Sequence, residues 1–362
     1  MKLTTVAHGG DILAVARALG CKPGELADMS SNLAPFGPPP GVRETISEHL
    51  EEIAYLPEPG SESLSACLAA KYGRSREEIL VGNGTTEFIF GLPAALQPKR
   101  GVIVNPTYGD YRLACTWAGV AVQEFTLNPA EGFVLNLERL TATLLSGDLV
   151  FLCNPNNPTG VLTPSRRLHE FIAAHPGTTF LVDEAYLPFT GEESLLALPP
   201  LANLLVLNSY SKIFCIPGLR LGILVGDGAL LTNLDQRAKP WGVNRLAQVA
   251  GEYLCRYGDD YIQKVVAYVA RERERVATAL AELPGVAVVA GRANFILGCL
   301  TTGALRAGEL RTRLLAKRLI IRNCANFTTL DDRYFRISLK DGATNRRCLA
   351  ALAEIFDQTR LP

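Results

Sequence analysis

Four polar residues that could hold and react with a phosphorylated ligand occupy one short stretch. Ser209, Ser211 and Lys212 follow the apolar run 204–207, and Arg220 comes eight residues after the lysine. Hydroxyls and a guanidinium donate hydrogen bonds to phosphate oxygens, and a lysine near other cations loses its proton more easily and can form a Schiff base. Taken alone, the stretch also fits a polar turn with a solvated lysine.

Two upstream strands end in side chains that would complete such a site. The apolar run 178–182 leads into Asp183 and Tyr186, and the run 149–153 leads into a turn that contains Asn157. Because the carboxyl ends of neighbouring parallel strands meet at one edge of a sheet, these groups are predicted to lie beside Lys212. An anion, hydrogen-bond donors, an amine and cations together are what a pyridoxal phosphate site requires.

In this order, Asn157, Asp183, Tyr186, Lys212 and Arg220 resemble the fold-type I, aspartate-aminotransferase-like superfamily of pyridoxal phosphate enzymes. The resemblance covers nearly the whole chain and implies an α/β fold. We expect a large cofactor domain with a mainly parallel seven-stranded sheet and a small α+β domain. The expected limits are 1–35 for an N-terminal arm, 36–245 for the large domain and 246–362 for the small domain. Within the arm a short helix is predicted at about 12–19, and the Gly and Pro residues around it predict little packed structure between the helices.

Four further segments resemble the threonine-phosphate decarboxylase branch, whose relatives include histidinol-phosphate aminotransferase. These segments are 8–12, 240–244, 291–295 and 321–327. In this branch the matching residues bind a substrate phosphate, and an arginine grips the α-carboxylate. The substrate-binding residues implied are His8, Gly9, Asn32, Asn157, Arg322 and, for the carboxylate, Arg336. A small phosphorylated amino acid with an anion at each end is therefore expected.

The resemblance also assigns the cofactor site. Gly84 precedes a predicted helix, and backbone amides at a helix N-terminus favour a phosphate. Tyr108 is implied to stack on the pyridine ring and to join Lys212 and Asp183 as a catalytic residue, and Tyr55 is implied to reach the partner's cofactor phosphate in a homodimer with shared sites. The cofactor-binding residues implied are Tyr55, Gly84, Thr85, Thr86, Tyr108, Asn157, Asp183, Tyr186, Ser209, Ser211, Lys212 and Arg220.

Composition argues against several other classes of protein. The chain has 36 basic and 36 acidic residues and no long basic run, so no nucleic-acid partner is expected. No stretch approaches the eighteen or so apolar residues of a membrane span, and a soluble cytoplasmic protein is expected. The nine cysteines are scattered and the four histidines are not paired at i, i+4, which predicts neither a disulfide framework nor a metal site. The alternating charges of 271–275 predict a solvated helix face.

The reaction implied by the resemblance is decarboxylation of L-threonine O-3-phosphate to (R)-1-amino-2-propanol O-2-phosphate, a building block of the cobamide nucleotide loop. Two enzymes remain as alternatives: an L-serine O-phosphate decarboxylase that makes ethanolamine phosphate, and a histidinol-phosphate aminotransferase. A non-catalytic pyridoxal phosphate sensor is disfavoured, because no DNA-binding segment precedes the cofactor domain.

Overall fold

The computed structural model describes residues 9–235, 240–303 and 305–358, so His8 lies outside the described residues. The strands are β1 (Ala27–Asp28), β2 (Ile79–Asn83), β3 (Arg100–Asn105), β4 (Val122–Thr126), β5 (Asp148–Cys153), β6 (Thr179–Asp183), β7 (Leu204–Asn208), β8 (Leu221–Gly226), β9 (Val286–Val288), β10 (Phe295–Leu300), β11 (Leu319–Ile320), β12 (Arg322–Asn323) and β13 (Tyr334–Ser338). The α-helices are α1 (Ile12–Leu19), α2 (Pro40–Glu48), α3 (Glu62–Tyr72), α4 (Thr85–Leu96), α5 (Asp110–Trp117), α6 (Leu137–Thr141), α7 (Ser165–Ala173), α8 (Tyr210–Ile213), α9 (Gly228–Asp235), α10 (Arg245–Tyr257), α11 (Asp259–Ala281), α12 (Ala307–Ala316) and α13 (Gly342–Gln358). Among these helices, none combines the length and the apolar character that a membrane crossing needs.

Seven strands form the central sheet in the order β2-β8-β7-β6-β5-β3-β4. Six of them are parallel, and β8 runs antiparallel to both of its neighbours, β2 and β7. The middle strands are almost continuously apolar and buried, the pattern expected where both faces of a parallel sheet are covered. The predicted mainly parallel seven-stranded sheet is confirmed.

Strand direction brings the predicted site residues to one edge of this sheet. Strands β2, β5, β6 and β7 all end there, which delivers Gly84, Asn157, Asp183 and Lys212 to the same side. Because β8 is antiparallel, its first residue lies at this edge, and Arg220 immediately precedes it. Ligands of open α/β sheets bind at this carboxyl edge.

A second, four-stranded sheet has the order β12-β13-β10-β9 and is antiparallel throughout. The N-terminal arm is attached to this part of the chain, since β1 pairs in parallel with β11 and places Ala27 opposite Leu319. The expectation of little packed structure in the arm was therefore wrong for this segment, because the backbone of β1 pairs with that of β11, almost 300 positions away in sequence. The three domain limits stay predictions.

The charged run 271–275 on α11 is not simply a solvated face. Glu272 is buried, and its carboxylate accepts hydrogen bonds from Arg275 at 2.7 Å and from Asn345 on α13 at 2.9 Å. Arg273 donates to the backbone oxygen of Arg292 at 2.7 Å. The prediction from alternating charge was wrong at Glu272, because α13 packs against that side of the helix.

Candidate active site

Lys212 lies in α8, a single helical turn directly after β7. The pKa of its amine is lowered to about 8, chiefly by burial and then by the positive charges of Arg336 and Arg220. The negative charge of Asp183 acts in the opposite direction. Near pH 8 a large part of the amine is therefore neutral, which is the form that attacks an aldehyde carbon.

Asp183 ends β6 and is buried. Its Oδ2 accepts a hydrogen bond from the Tyr111 hydroxyl at 2.7 Å, and its Oδ1 accepts one from the backbone N–H of Ala185 at 2.9 Å. Burial raises the pKa of Asp183, while these two hydrogen bonds and the charge of Lys212 oppose that rise. The two donors orient a carboxylate whose charge is well suited to a cationic partner.

An anion cradle lies where β2 gives way to α4. Gly84 precedes the helix with φ of 76°, and a Cβ at this position would lie 2.5 Å from Nη2 of Arg220. A Cβ at Gly222 would lie 2.3 Å from the backbone nitrogen of Thr85. Thr85 and Thr86 form the first turn of α4, so free backbone N–H groups, hydroxyls and a guanidinium converge on one place.

Two serines flank the lysine. Oγ of Ser211 donates to the backbone oxygen of Leu221 at 3.2 Å and accepts from its N–H at 3.3 Å, so this hydroxyl ties the lysine turn to the start of β8. Ser209 is buried and lines the same cavity as Lys212. Ser211 thus makes a structural contact, and Ser209 lies where its hydroxyl is suited to binding an anion.

Two predicted tyrosines stand in the wall of the cavity. The ring of Tyr108 meets Tyr111 edge-on, with centroids 5.6 Å apart. The hydroxyl of Tyr186 shares a hydrogen bond with Asn32, and its ring packs edge-on against Phe295 at 5.0 Å. Burial raises the pKa of Tyr186 to about 12, so the phenol keeps its proton at neutral pH and can donate a hydrogen bond.

Arg336, on β13 of the second sheet, is only 5% exposed and contacts Asn157 in the wall of this cavity. Its Nη1 donates to the side-chain oxygen of Asn157, and its Nη2 donates to the backbone oxygen of Ser30 at 2.8 Å. Its guanidinium carbon lies 5.1 Å from the ring centre of Phe295. Nε is buried without a hydrogen-bond partner among the described residues, which leaves a donor for an anion.

Arg322 lines a second cavity together with Gly9, Ser30 and Arg311. Its Nη2 donates to the side-chain oxygen of Asn326 at 2.6 Å. The pKa of Arg322 is lowered to about 10, first by burial and then by the positive charge of Arg336, with a smaller contribution from Arg311. Two arginines and one acid, Asp11, thus line this cavity. Ser30 in its wall accepts a hydrogen bond from Arg336, which also donates to Asn157 in the wall of the first cavity.

The remaining predicted residues are less directly placed. Asn32 is buried and its side-chain oxygen accepts from Ser338 at 2.5 Å, so its contacts support Tyr186. Tyr55 is 69% exposed and does not line the cavity of its own chain.

Sequence reasoning missed three residues at the site. They are Tyr111, Arg311 and Lys340, and the charge of Lys340 helps to lower the pKa of Lys212. Only Tyr111 carried a usable signal, because it follows the predicted site residue Tyr108 by three positions, at the start of the helix that comes after β3.

The donor set fits pyridoxal 5′-phosphate. Lys212 supplies an amine of lowered pKa, Asp183 supplies an oriented carboxylate, and Gly84 allows Arg220 to lie beside the N-terminus of α4, because a Cβ at residue 84 would meet the guanidinium. These are the groups that bind the aldehyde, the ring nitrogen and the phosphate of this cofactor.

Comparison with known proteins agrees with this site. A family model described as aminotransferase class I and II matches residues 25–352. A threonine-phosphate decarboxylase from Salmonella typhimurium is 37% identical over 98% of this chain and 98% of the relative. A histidinol-phosphate aminotransferase from Methanothermobacter thermautotrophicus is 32% identical over 96% of this chain and 93% of the relative.

A solved structure shows the same fold. The crystal structure of L-threonine-O-3-phosphate decarboxylase from Porphyromonas gingivalis matches with a TM-score of 0.83 and 28% identity. The match covers 92% of this chain and 99% of that chain. The likeness in fold therefore extends over most of this chain.

Proposed function

The chain belongs to the class I and II aminotransferase family, and we propose that it is a pyridoxal-phosphate-dependent decarboxylase of L-threonine O-3-phosphate. The product would be (R)-1-amino-2-propanol O-2-phosphate, for the cobamide nucleotide loop. The observation that carries the proposal is the 37% identity to a threonine-phosphate decarboxylase over 98% of both chains.

The geometry supports a substrate with two anionic ends. Arg336 and Arg322 lie close enough for the charge of one to lower the pKa of the other. L-Threonine O-3-phosphate presents a carboxylate to Arg336 and a phosphate to Arg322 at the same time. A histidinol-phosphate aminotransferase would also use both guanidinium groups, because its second substrate, 2-oxoglutarate, has two carboxylates. The preference for the decarboxylase therefore rests on the 37% identity to a threonine-phosphate decarboxylase, against 32% to a histidinol-phosphate aminotransferase.

The residues that would hold the cofactor divide by chemical group. Asp183 would face the ring nitrogen, Lys212 the aldehyde, and Tyr108 the face of the ring. Tyr186 and Asn157 would donate to the ring oxygen, and the phosphate would bind to Gly84, Thr85, Thr86, Ser209, Ser211 and Arg220. When bound, pyridoxal 5′-phosphate accepts the electron pair that remains on Cα after a bond to Cα breaks.

The chain's own residues would select which bond breaks. Arg336 and Arg322 hold the two ends of the substrate and so restrict its rotation about Cα. This orientation makes the bond between Cα and the carboxylate the one that breaks. Asp183 keeps a negative charge beside the ring nitrogen. Lys212 in its protonated, ammonium form then delivers a proton to Cα in place of the carbon dioxide that leaves.

Serine phosphate is the second substrate to consider. It differs from threonine phosphate by one methyl group, and a pocket discriminates one methyl by only about 1–3 kcal/mol. We therefore expect measurable turnover of both phosphoamino acids.

We also propose a homodimer. Tyr55 lies among exposed apolar side chains, which include Leu50, Ile53 and Leu56. The exposed Trp241 is attached to the same segment, because its backbone N–H donates to the backbone oxygen of Pro59 at 3.2 Å. An exposed apolar surface of this kind is typical of an interface. A second copy would cover it and bring Tyr55 to the neighbouring cofactor phosphate.

Product analysis tests the proposed function. The purified protein, loaded with pyridoxal phosphate, is mixed with L-threonine phosphate, with serine phosphate, or with histidinol phosphate plus 2-oxoglutarate, and products are identified by mass spectrometry. Carbon dioxide and a phosphorylated amine from threonine phosphate are expected. Glutamate from the third mixture, with no carbon dioxide from either phosphoamino acid, would overturn the decarboxylase in favour of the aminotransferase.

A further inference from the structure

Two cysteines that are 188 positions apart in sequence meet between α3 and α10, where the sulfur atoms of Cys67 and Cys255 lie 2.7 Å apart. Sulfur atoms that share no bond keep a wider separation, whereas a disulfide holds them at about 2.05 Å. A shift of roughly 0.7 Å would therefore bring the pair to bonding distance. Both thiols are free in the structure.

The two thiols differ in access. Cys67 is partly exposed, whereas Cys255 is 5% exposed and burial raises the pKa of its thiol to about 12. Lys71 fixes the backbone beside the pair, because its Nζ donates to the Cys255 oxygen at 3.2 Å and to Asp259 at 2.6 Å. An oxidant from solution would thus meet Cys67 first, with Cys255 held behind it.

We propose that Cys67 and Cys255 form a reversible oxidation site for small disulfide compounds such as oxidised glutathione. The Cys67 thiolate attacks one sulfur of the oxidant and releases one thiol, which leaves a mixed disulfide on Cys67. The Cys255 thiol loses its proton to solvent, attacks Sγ of Cys67 and expels the second thiol. Two protein thiols are oxidised to one disulfide, and the oxidant is reduced to two thiols.

The cross-link would join two helices that support the active site. Gln248 on α10 donates to the backbone oxygen of Glu58 at 2.8 Å and to Ser61 at 3.1 Å, which holds the segment that leads from Tyr55 into α3. At the other end of α3, the hydroxyl of Tyr72 shares a hydrogen bond with Tyr210, two residues before the reactive lysine. Closing so long a loop also restricts the unfolded chain, so the oxidised protein should be the more stable form.

Peptide mapping tests the proposal on the holoenzyme. The protein is treated with oxidised glutathione, free thiols are blocked with N-ethylmaleimide, and the digest is examined by mass spectrometry. A peptide pair that joins Cys67 to Cys255 and separates in dithiothreitol is expected, together with a Tm rise of about 5 °C. Both cysteines blocked, or glutathione retained on Cys67 of the unaltered protein, would overturn the proposal.

Two variants sharpen the test. Cys255→Ser should retain one glutathione on Cys67 and show no rise in Tm, because the second attack is lost. Cys299→Ser removes another partly buried cysteine and should cross-link as the unaltered protein does. If Cys255→Ser fails to fold, the peptide map of the unaltered protein decides the question alone.

Discussion

Tyr111 donates its phenolic hydrogen to Oδ2 of Asp183 at 2.7 Å, and both side chains are buried. This hydrogen bond lowers the pKa of Asp183 against the burial that raises it. In Tyr111→Phe the folded-state pKa of Asp183 should rise further, so ionising this carboxyl should cost more in the folded protein. We expect the apoprotein to lose about 1–3 kcal/mol of unfolding free energy at pH 8.

The loss should shrink towards pH 5, because protonation of Asp183 in the folded state then removes the charge that needed a donor. Urea unfolding of the apoprotein at both pH values measures it. Tyr257→Phe is the control, since Tyr257 is 65% exposed and its change should have little effect at either pH. Equal losses for Tyr111→Phe at pH 5 and pH 8 would mean that the hydroxyl acts through packing alone.

The lowered pKa of Lys212 predicts a pH-dependent stability of the apoprotein. Between the folded-state pKa of about 8 and the ordinary lysine pKa of 10.5, the unfolded chain binds more protons at this lysine than the folded chain does. Stability due to this group therefore rises with pH across that window and is reduced below it. Relative to Lys212→Met, the unaltered apoprotein should gain on the order of 2–3 kcal/mol from pH 8 to 10.5, measured by urea unfolding. If the unfolding free energies of the two proteins changed in parallel with pH, the lowered pKa of Lys212 would be contradicted.

Gly84→Ala should weaken cofactor binding. The new Cβ would lie 2.5 Å from Nη2 of Arg220, so the guanidinium must leave the place where the phosphate is expected. Gly73→Ala is the matched control, because Gly73 also has a positive φ, of 61°, but has open space around its Cβ position. Both variants should lose about 1 kcal/mol of stability from the backbone. Only Gly84→Ala should raise the Kd for pyridoxal phosphate, by about tenfold or more in an absorbance titration.

Arg311→Ala should weaken the binding of phosphorylated substrates. Arg311 lines the cavity of Arg322 and lies close enough for its charge to lower the pKa of Arg322. We expect a rise in KM for threonine phosphate of about five- to tenfold with kcat nearly unchanged, because Arg311 acts at the phosphate end rather than at Cα. Arg313→Ala on the same helix is the control, since Arg313 is paired with Glu309 at 2.5 Å. A matching rise in KM for the control would remove Arg311 from the site.

Mixed dimers test the shared site. Tyr55→Ala and Lys212→Ala should each be nearly inactive, but a dimer with one chain of each kind would contain one site with both native residues. Random exchange of equal amounts should restore about a quarter of the native sites, as measured by carbon dioxide release. Activity that stays at the level of the separate variants, while ultracentrifugation shows mixed dimers, would rule out donation of Tyr55 across the interface.

Much of the central sheet and of the cavity could be predicted from the sequence. Asp183 and Lys212 follow apolar runs that are long enough for buried strands, and parallel strands must bring their carboxyl ends to one edge. The order of the polar residues along the chain then identifies the groups at that edge.

What the sequence did not predict depends on contacts between distant segments. Glu272 is buried because Asn345 on α13 reaches it, and Cys67 meets Cys255 because α3 packs on α10. Arg311 belongs to a charged helix whose pattern is that of a solvated surface, and only the position of that helix beside Arg322 makes it a site residue. Local periodicity contains no information about such pairings.

The pairing of β1 with β11 has a consequence for synthesis of the chain. Ala27 leaves the ribosome 292 residues before its partner Leu319, an interval of about 15–60 s at ordinary elongation rates. During that time Ser30 and Asn32, which follow β1, lack the C-terminal strands that hold them in place. This segment, although translated long before β11, is therefore among the last to reach its native position, and a nascent chain that lacks β11 and β13 cannot assemble the substrate pocket.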